Sequence, residues 1–262
     1  MKPTVTGLVL TYNGERLLKE CLQSMDFCDE ILVVDSESTD RTREIAEEYG
    51  AKVLVRAWEG PVPQFHYALE QIKTDWVVSL DQDEYFTDEL RENIIEAIRS
   101  QQASSKEIAG FYTPRCSYYF NRFMRHSGWY PDHLLRVFRN GKMNVEASGA
   151  HYSFHPLGNT EKLEGDIIHY PYSSFAEHLH KVDSYAQQGA ESIAAKGKKG
   201  GVFRGITHGT VRFIKLYLLK QGFKDGRAGF INAVHGAFYT FMKYVRVEEL
   251  TDKTTWGKGR AN

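Results

Sequence analysis

Ile31-Leu32-Val33-Val34-Asp35-Ser36-Glu37-Ser38-Thr39-Asp40 is the stretch that decides the fold. Four consecutive apolar residues stop on an acid, and Ser38-Thr39-Asp40 then offers side-chain oxygens to cap a helix over residues 41–49, closed by Gly50. A short apolar run without polar alternation is a strand covered on both faces. The same unit recurs on either side of it. Residues 5–12 read as a strand that runs into Asn13-Gly14, and residues 15–25 as a helix with Leu17, Leu18, Cys21 and Leu22 on one face. Downstream come a strand over 52–55, a helix over 64–72, a strand over 76–80 that delivers Asp81-Gln82-Asp83-Glu84, and a helix over 87–99. Strands alternating with helices predict an α/β fold, a Rossmann-like, mostly parallel sheet flanked by helices. Ligands of such sheets sit beyond the carboxyl ends of the strands. Asn13, Asp35 and Asp81 all fall at such ends.

The pattern changes after Gly110. Residues 111–172 are rich in Tyr, Phe, His and Arg and read as short strands and loops, an acceptor-binding half to set beside the nucleotide-binding half at 1–110. Residues 173–262 return to helix as a basic C-terminal extension: 174–195, a Lys/Gly segment at 196–201 expected to be mobile, then helices around 203–221 and 226–247. The formal net charge of −1 excludes a globally basic nucleic-acid binder. That average hides a gradient, because residues 1–110 carry 11 basic and 22 acidic side chains whereas residues 196–262 carry 14 and 4. In 211–223 a broad apolar face is interleaved with Arg212, Lys215 and Lys220 and followed by Lys224. That composition suits a helix lying on an anionic membrane surface, and equally a core helix of a second domain.

No stretch approaches the roughly 18–20 apolar residues of a membrane span. Residues 1–12 show no signal-peptide pattern, and Cys21, Cys28 and Cys116 are odd in number without zinc-ligand spacing. The expected location is cytoplasmic, with peripheral attachment to the inner membrane.

Asp81, Asp83 and Glu84 fall within four residues on a turn. Carboxylates so close repel unless a cation lies between them, and hard ions such as Mg²⁺ or Mn²⁺ take such oxygens while keeping water and phosphate in their other positions. A solvated acidic turn capping the helix near Thr87 is the plainer reading of the same residues. Asp35 can accept from a ribose hydroxyl or a base N–H, or cap its own loop. Neither G-x-G-x-x-G nor G-x-x-x-x-G-K-[ST] is present, which argues against a dinucleotide fingerprint and a P-loop.

In order and spacing, Leu10-Thr11-Tyr12-Asn13, Val33-Val34-Asp35-Ser36-Glu37-Ser38-Thr39-Asp40, Gly50-Ala51-Lys52-Val53 and Asp81-Gln82-Asp83-Glu84 resemble the inverting family 2 glycosyltransferases of the GT-A fold. Gly128-Trp129-Tyr130-Pro131-Asp132, Leu135-Arg136-Val137-Phe138-Arg139, the segment at 163–170 and Gly222-Phe223-Lys224-Asp225-Gly226 are similar to the lipopolysaccharide core branch. The resemblance implies transfer of a hexose or heptose, UDP-glucose being the favoured donor, to a lipid-linked or core saccharide. Thr11, Asn13, Asp35 and Asp81 would bind the nucleotide sugar, and Asp83 would hold Mg²⁺ or Mn²⁺. A polyprenyl phosphate acceptor and a non-catalytic nucleotide-sugar binder are the alternatives.

Where many relatives carry Val-His-Glu with a presumed basic glutamate, this chain reads Ala150-His151-Tyr152. Glu146 and His151 are the candidate catalytic bases, with Asp132 and His155 behind them. Trp129 and Tyr130 would stack on a sugar ring or fill a core. Arg136 and Arg139 would clamp a diphosphate or an anionic acceptor, or pair with neighbouring acids. Trp129, Tyr130, Asp132 and Arg136 make up the acceptor-binding set.

Overall fold

The computed structural model describes residues 2–148 and 151–252, the side chains of Ser148 and His151 excepted. Its chain order is β1 (Val5–Thr11), α1 (Leu18–Gln23), β2 (Glu30–Asp35), α2 (Thr42–Glu48), β3 (Lys52–Val55), α3 (Pro61–Glu70), β4 (Trp76–Asp81), β5 (Glu84–Phe86) and α4 (Asp88–Ser100). There follow β6 (Ile108–Tyr119), β7 (Arg122–Phe123), β8 (Asp132–Arg139), β9 (Met143–Ser148), β10 (His151–Pro156), β11 (Asn159–Lys162) and β12 (Ile167–His169). Helices α5 (Phe175–Ala195), α6 (Val202–Ile214) and α7 (Gly226–Thr251) close the chain, with a π-turn at Lys215–Leu219 and a 3₁₀ turn at Gly222–Asp225. Two compact units result, one from the residues up to Ser117 together with Pro131–Tyr170, the other from Tyr118–Tyr130 and the chain beyond Pro171. The aromatic-rich middle of the sequence is thus shared between them.

The first unit is the α/β sheet. Its strand order is β3-β2-β1-β4-β8-β6-β12-β5, and β3, β2, β1 and β4 run parallel. The apolar runs are continuous because alternate residues serve two cores. Val5, Val9, Val33, Val78 and Leu80 pack with α1 and α4 through Leu18, Leu22, Leu90 and Ile94. Leu8, Leu32, Val34 and Val77 pack on the other side with Phe65 and Ala68 of α3 and with Val145 and Phe154 of the β9–β10 hairpin. Complete burial of each such side chain contributes about 1.5–3 kcal/mol. β8 enters antiparallel between β4 and β6, and β12 pairs with both β6 and β5. Helix α1 is shorter than the residues 15–25 expected of it, because Gly14 accepts from Leu17 and Leu18 N–H in a turn that precedes the helix.

In the second unit Asp225 is fully buried and accepts from the backbone N–H of Arg125 (3.2 Å) and His126 (2.9 Å) and from His126 Nδ1 (3.1 Å). The Lys/Gly segment at 196–201 is held rather than free, since Gly201 N–H donates to Tyr244 O at 2.9 Å and Arg204 Nη1 to Lys199 O at 2.9 Å. Helix α5 opens on Ser174, whose hydroxyl accepts from Glu177 N–H at 3.1 Å while the Glu177 carboxylate accepts from Ser173 N–H (2.6 Å) and Oγ–H (2.7 Å). Partial burial pushes the Glu177 carboxyl up, but the Ser173 bonds and Lys181 outweigh it and bring it down to about 2. The stability it contributes is therefore complete above the ordinary carboxylate range and fades as the pH falls toward 2. Glu177→Ala is expected to cost about 1 kcal/mol at neutral pH and much less in acid, which thermal melts at the two pH values would read.

Candidate active site

Register places the acids together. Thr11 of β1 is the cross-strand partner of Asp35 on β2, and Leu10 is that of Asp81 on β4, so three neighbouring parallel strands end level with one another. Two loops rise from those ends and are laced by side chain to backbone bonds. Asn13, at φ 48°, accepts from Thr39 N–H at 2.9 Å and donates its own N–H to Ser38 Oγ at 2.9 Å. Gly14 N–H donates to Thr42 Oγ1 at 2.7 Å, and Glu15 N–H to Asp40 at 3.1 Å. Asp35 sits beneath this lacing with no solvent exposure, accepting from Thr11 Oγ1 (3.1 Å), Ser38 N–H (2.9 Å) and Ser38 Oγ. The Gln82 amide clips onto Tyr12, accepting from its N–H at 2.8 Å and donating to its carbonyl at 3.1 Å, which leaves the Tyr12 ring 59% exposed at the rim.

Below Asp81 lies a buried ion network. Arg136 is 3% exposed, and its Nη2 donates to Asp81 at 2.7 Å and to Glu84 at 2.9 Å, while Nη1 donates to the Tyr152 hydroxyl. Tyr152 passes its own O–H to Asp81 Oδ1 at 2.5 Å. Burial would raise the Asp81 carboxyl, but Arg136 and Tyr152 outweigh it and bring it down to about 2, so Asp81 is an anion at neutral pH. Burial, with Asp81 and Glu84 nearby, pushes the Tyr152 phenol well up. A phenol that donates to a carboxylate and resists ionisation is a strut for Asp81, not a proton acceptor. Arg115 extends the network, its Nη1 on Glu84 at 2.9 Å and its Nη2 on Asp132 at 2.7 Å. Asp132 keeps 42% of its side chain exposed.

Beside the acids stands a histidine to which the sequence reading gave no role. His169, on β12, is the cross-strand partner of both Glu84 and Ser117. Its Nε2 lies 3.7 Å from Asp83 Oδ1, and its Nδ1 is 2.9 Å from Ser117 Oγ. His169 falls in the 163–170 segment, and the pairing of β12 against β5 is what brings it to Asp83. Among the described residues no group of three or more His, Cys, Asp or Glu is placed to hold a metal ion. A carboxylate and an imidazole whose second nitrogen meets a hydroxyl do fit an open Mg²⁺ or Mn²⁺ site, whose other positions water and diphosphate oxygens fill.

The remaining candidates fall elsewhere. Glu146 projects from the hairpin face opposite Tyr152, 69% exposed and 3.6 Å from His155 Nε2. The side chain of His151 lies outside the described residues. Trp129 and Tyr130 belong to the second unit, where the Trp129 indole N–H donates to Asn232 at 3.2 Å, its ring packs on Tyr119, and Arg125 lies 4.3 Å over the Tyr130 ring. Arg139 donates to the Ile108 carbonyl and covers Trp76.

A mostly parallel sheet whose strand ends gather acids beneath laced loops puts the candidate ligand site beyond those ends. Residues 8–155 match the model of Glycosyl transferase family 2, and the chain belongs to that family. The lipopolysaccharide core biosynthesis glycosyltransferase LpsC of Rhizobium meliloti (strain 1021) is 28% identical over 94% of this chain and 92% of its own length. The uncharacterized glycosyltransferase RT0209 of Rickettsia typhi is 28% identical over 95% and 88%. The structure of the mannosyltransferase PcManGT from Pyrobaculum calidifontis, in complex with GDP-Man and Mn²⁺, superposes with a TM-score of 0.54 at 15% identity, covering 97% of this chain and 88% of that one. The fold is that of the GT-A glycosyltransferases. No helix of the described residues is long and apolar enough to cross a membrane.

Proposed function

We propose that the protein transfers a hexose or heptose from a nucleotide-diphosphate sugar, UDP-glucose being the favoured donor, to a saccharide acceptor of the lipopolysaccharide core or another envelope glycan at the cytoplasmic membrane face. The observation that carries the reading is the level ending of β1, β2 and β4, with Asp81 ionised and Asp83 beside His169. The family membership and the full-length likeness to LpsC support it. Thr11, Asn13 and Asp35 build the nucleotide end, Asp35 by fixing the Ser38 turn that forms its wall. Asp81, braced by Arg136 and Tyr152, accepts from sugar or ribose hydroxyls. Asp83 and His169 would hold Mg²⁺ or Mn²⁺, which would supply positive charge to a departing diphosphate.

In the inverting displacement an acceptor oxygen forms its bond to the anomeric carbon as the bond to the diphosphate breaks, and the acceptor proton passes to a base on the opposite face. Asp132 is the carboxylate for that task. It borders the ion network, stays solvent-accessible and is oriented by Arg115. Glu146 stands on the hairpin face away from Asp81. Asp132→Asn is expected to lower kcat by about 10²–10⁴-fold with donor affinity retained, and Glu146→Gln to leave both within about threefold. Single-turnover assays with calorimetric donor titration would decide, and the reverse pattern would move the base to Glu146. Absence of binding to every UDP-, GDP- and ADP-sugar, with and without Mn²⁺, would overturn the function itself.

A further inference from the structure

We propose that the outward face of α6, continued across α7, is a docking surface for an anionic lipid bilayer. The side of α6 that meets α7 is made of its smallest residues. A Cβ added at Gly205 would lie 3.0 Å from the Phe241 carbonyl, and one at Gly209 would lie 3.0 Å from that of Ala237. The large apolar residues of the same helix point the other way, with Phe203 79% exposed and Ile206 and Ile214 at 54% and 42%. A helix built only to fill a core has the opposite arrangement, large side chains inward and small or polar ones outward. The apolar surface continues through the π-turn, where Leu219 is 73% exposed. Phe213 packs edge-on against Phe230, 6.1 Å between ring centres, and so joins α6 to an exposed stripe of α7 at Phe230, Val234 and Phe238.

Charge identifies the occupant. Between Val202 and Val247 the chain has eight Lys and Arg and a single acid, Asp225, which is buried under the 125–126 backbone. Lys215, Lys220 and Lys224 are exposed along the segment that carries the apolar patch, and Arg212, also exposed, lies over Gly236 of α7. Two copies meeting through this face would bring like charges together, whereas an anionic headgroup layer satisfies the cations while the rings and aliphatic chains enter the acyl boundary. At 13 residues α6 is too short to span a bilayer, so it lies on it. The inference deepens the proposed membrane-face location but does not depend on the transfer chemistry.

Co-sedimentation of the full chain with vesicles tests it. The protein is expected to bind phosphatidylcholine vesicles containing about 30% phosphatidylglycerol, to ignore pure phosphatidylcholine, and to lose affinity as salt rises. Phe203→Ser combined with Leu219→Ser should weaken binding about tenfold or more. Lys215→Glu with Lys220→Glu should weaken it about 25-fold or more, from about fivefold per cation. All four sites are exposed, and the melting temperature and UDP-sugar affinity of both variants should match the parent. The proposal is overturned if the parent binds no anionic vesicle, if the variants bind as it does, or if sedimentation shows a dimer that Phe203→Ser with Leu219→Ser dissolves. Vesicle binding without any nucleotide-sugar binding would instead sink the transferase reading and leave this one standing.

Discussion

Arg136→Ala is expected to lower the melting temperature by about 10 °C, far more than a typical single substitution in a chain of this size. The guanidinium is almost wholly buried and is shared by Asp81, Glu84 and Tyr152. Its removal leaves Arg115, which reaches only Glu84 and Asp132, as the cation of the network. Stranding a buried carboxylate in this way costs about 3–5 kcal/mol. Arg136→Lys should recover only part of the loss, because one ammonium cannot reproduce a planar fork held by three acceptors. Adding Asp81→Asn to Arg136→Ala should restore part of the stability, since it removes the carboxylate that has lost its cation, whereas Glu84 keeps Arg115. Calorimetric melts of the three variants at neutral pH read the series. An Arg136→Ala protein that melts within about 2 °C of the parent would show that the network does not hold the strand ends.

The four parallel strands of the first unit were legible because they are short apolar runs, two of which, β2 and β4, stop on acids. Residues 31–35 and 76–81 announce both a strand and the place where a ligand would meet it. The side chains that organise the site were not legible, since their partners lie far away in the chain. Tyr152 meets Asp81 across 71 residues, and Arg136 meets Glu84 across 52. Glu84 reads as part of an acidic turn, but it opens strand β5, and that strand's pairing with β12 is what brings His169 into place. Helix α6 teaches a related lesson. Its apolar periodicity is plain in the sequence, yet periodicity cannot say which face turns inward, and the decisive residues are two glycines that carry no hydropathic signal. Trp129 shows the limit for aromatics, because stacking on a sugar and packing on Tyr119 ask for the same residue type.

The second large effect is expected at Asp83. Asp83→Asn should reduce turnover by about 10³-fold or more, the loss that follows when several kcal/mol of charge stabilisation on a leaving diphosphate disappears. The asparagine keeps the size of the side chain and one oxygen, so the loss reports charge rather than shape. His169→Ala should weaken Mn²⁺-dependent UDP binding strongly, and Ser117→Ala by about 10–100-fold, because the hydroxyl on Nδ1 fixes the ring that presents Nε2. A graded series, in which Ser117 touches no substrate and still alters metal affinity, is what a metal held by Asp83 and His169 demands. A purely structural role for His169 would instead lower the melting temperature of all three variants while leaving the Mn²⁺ dependence of UDP binding in place. Mn²⁺ titrations followed by calorimetry and electron paramagnetic resonance separate the outcomes. Unchanged Mn²⁺-dependent binding in Asp83→Asn would mean that the cation is carried by the nucleotide alone, and the acids at the end of β4 would then act on the sugar.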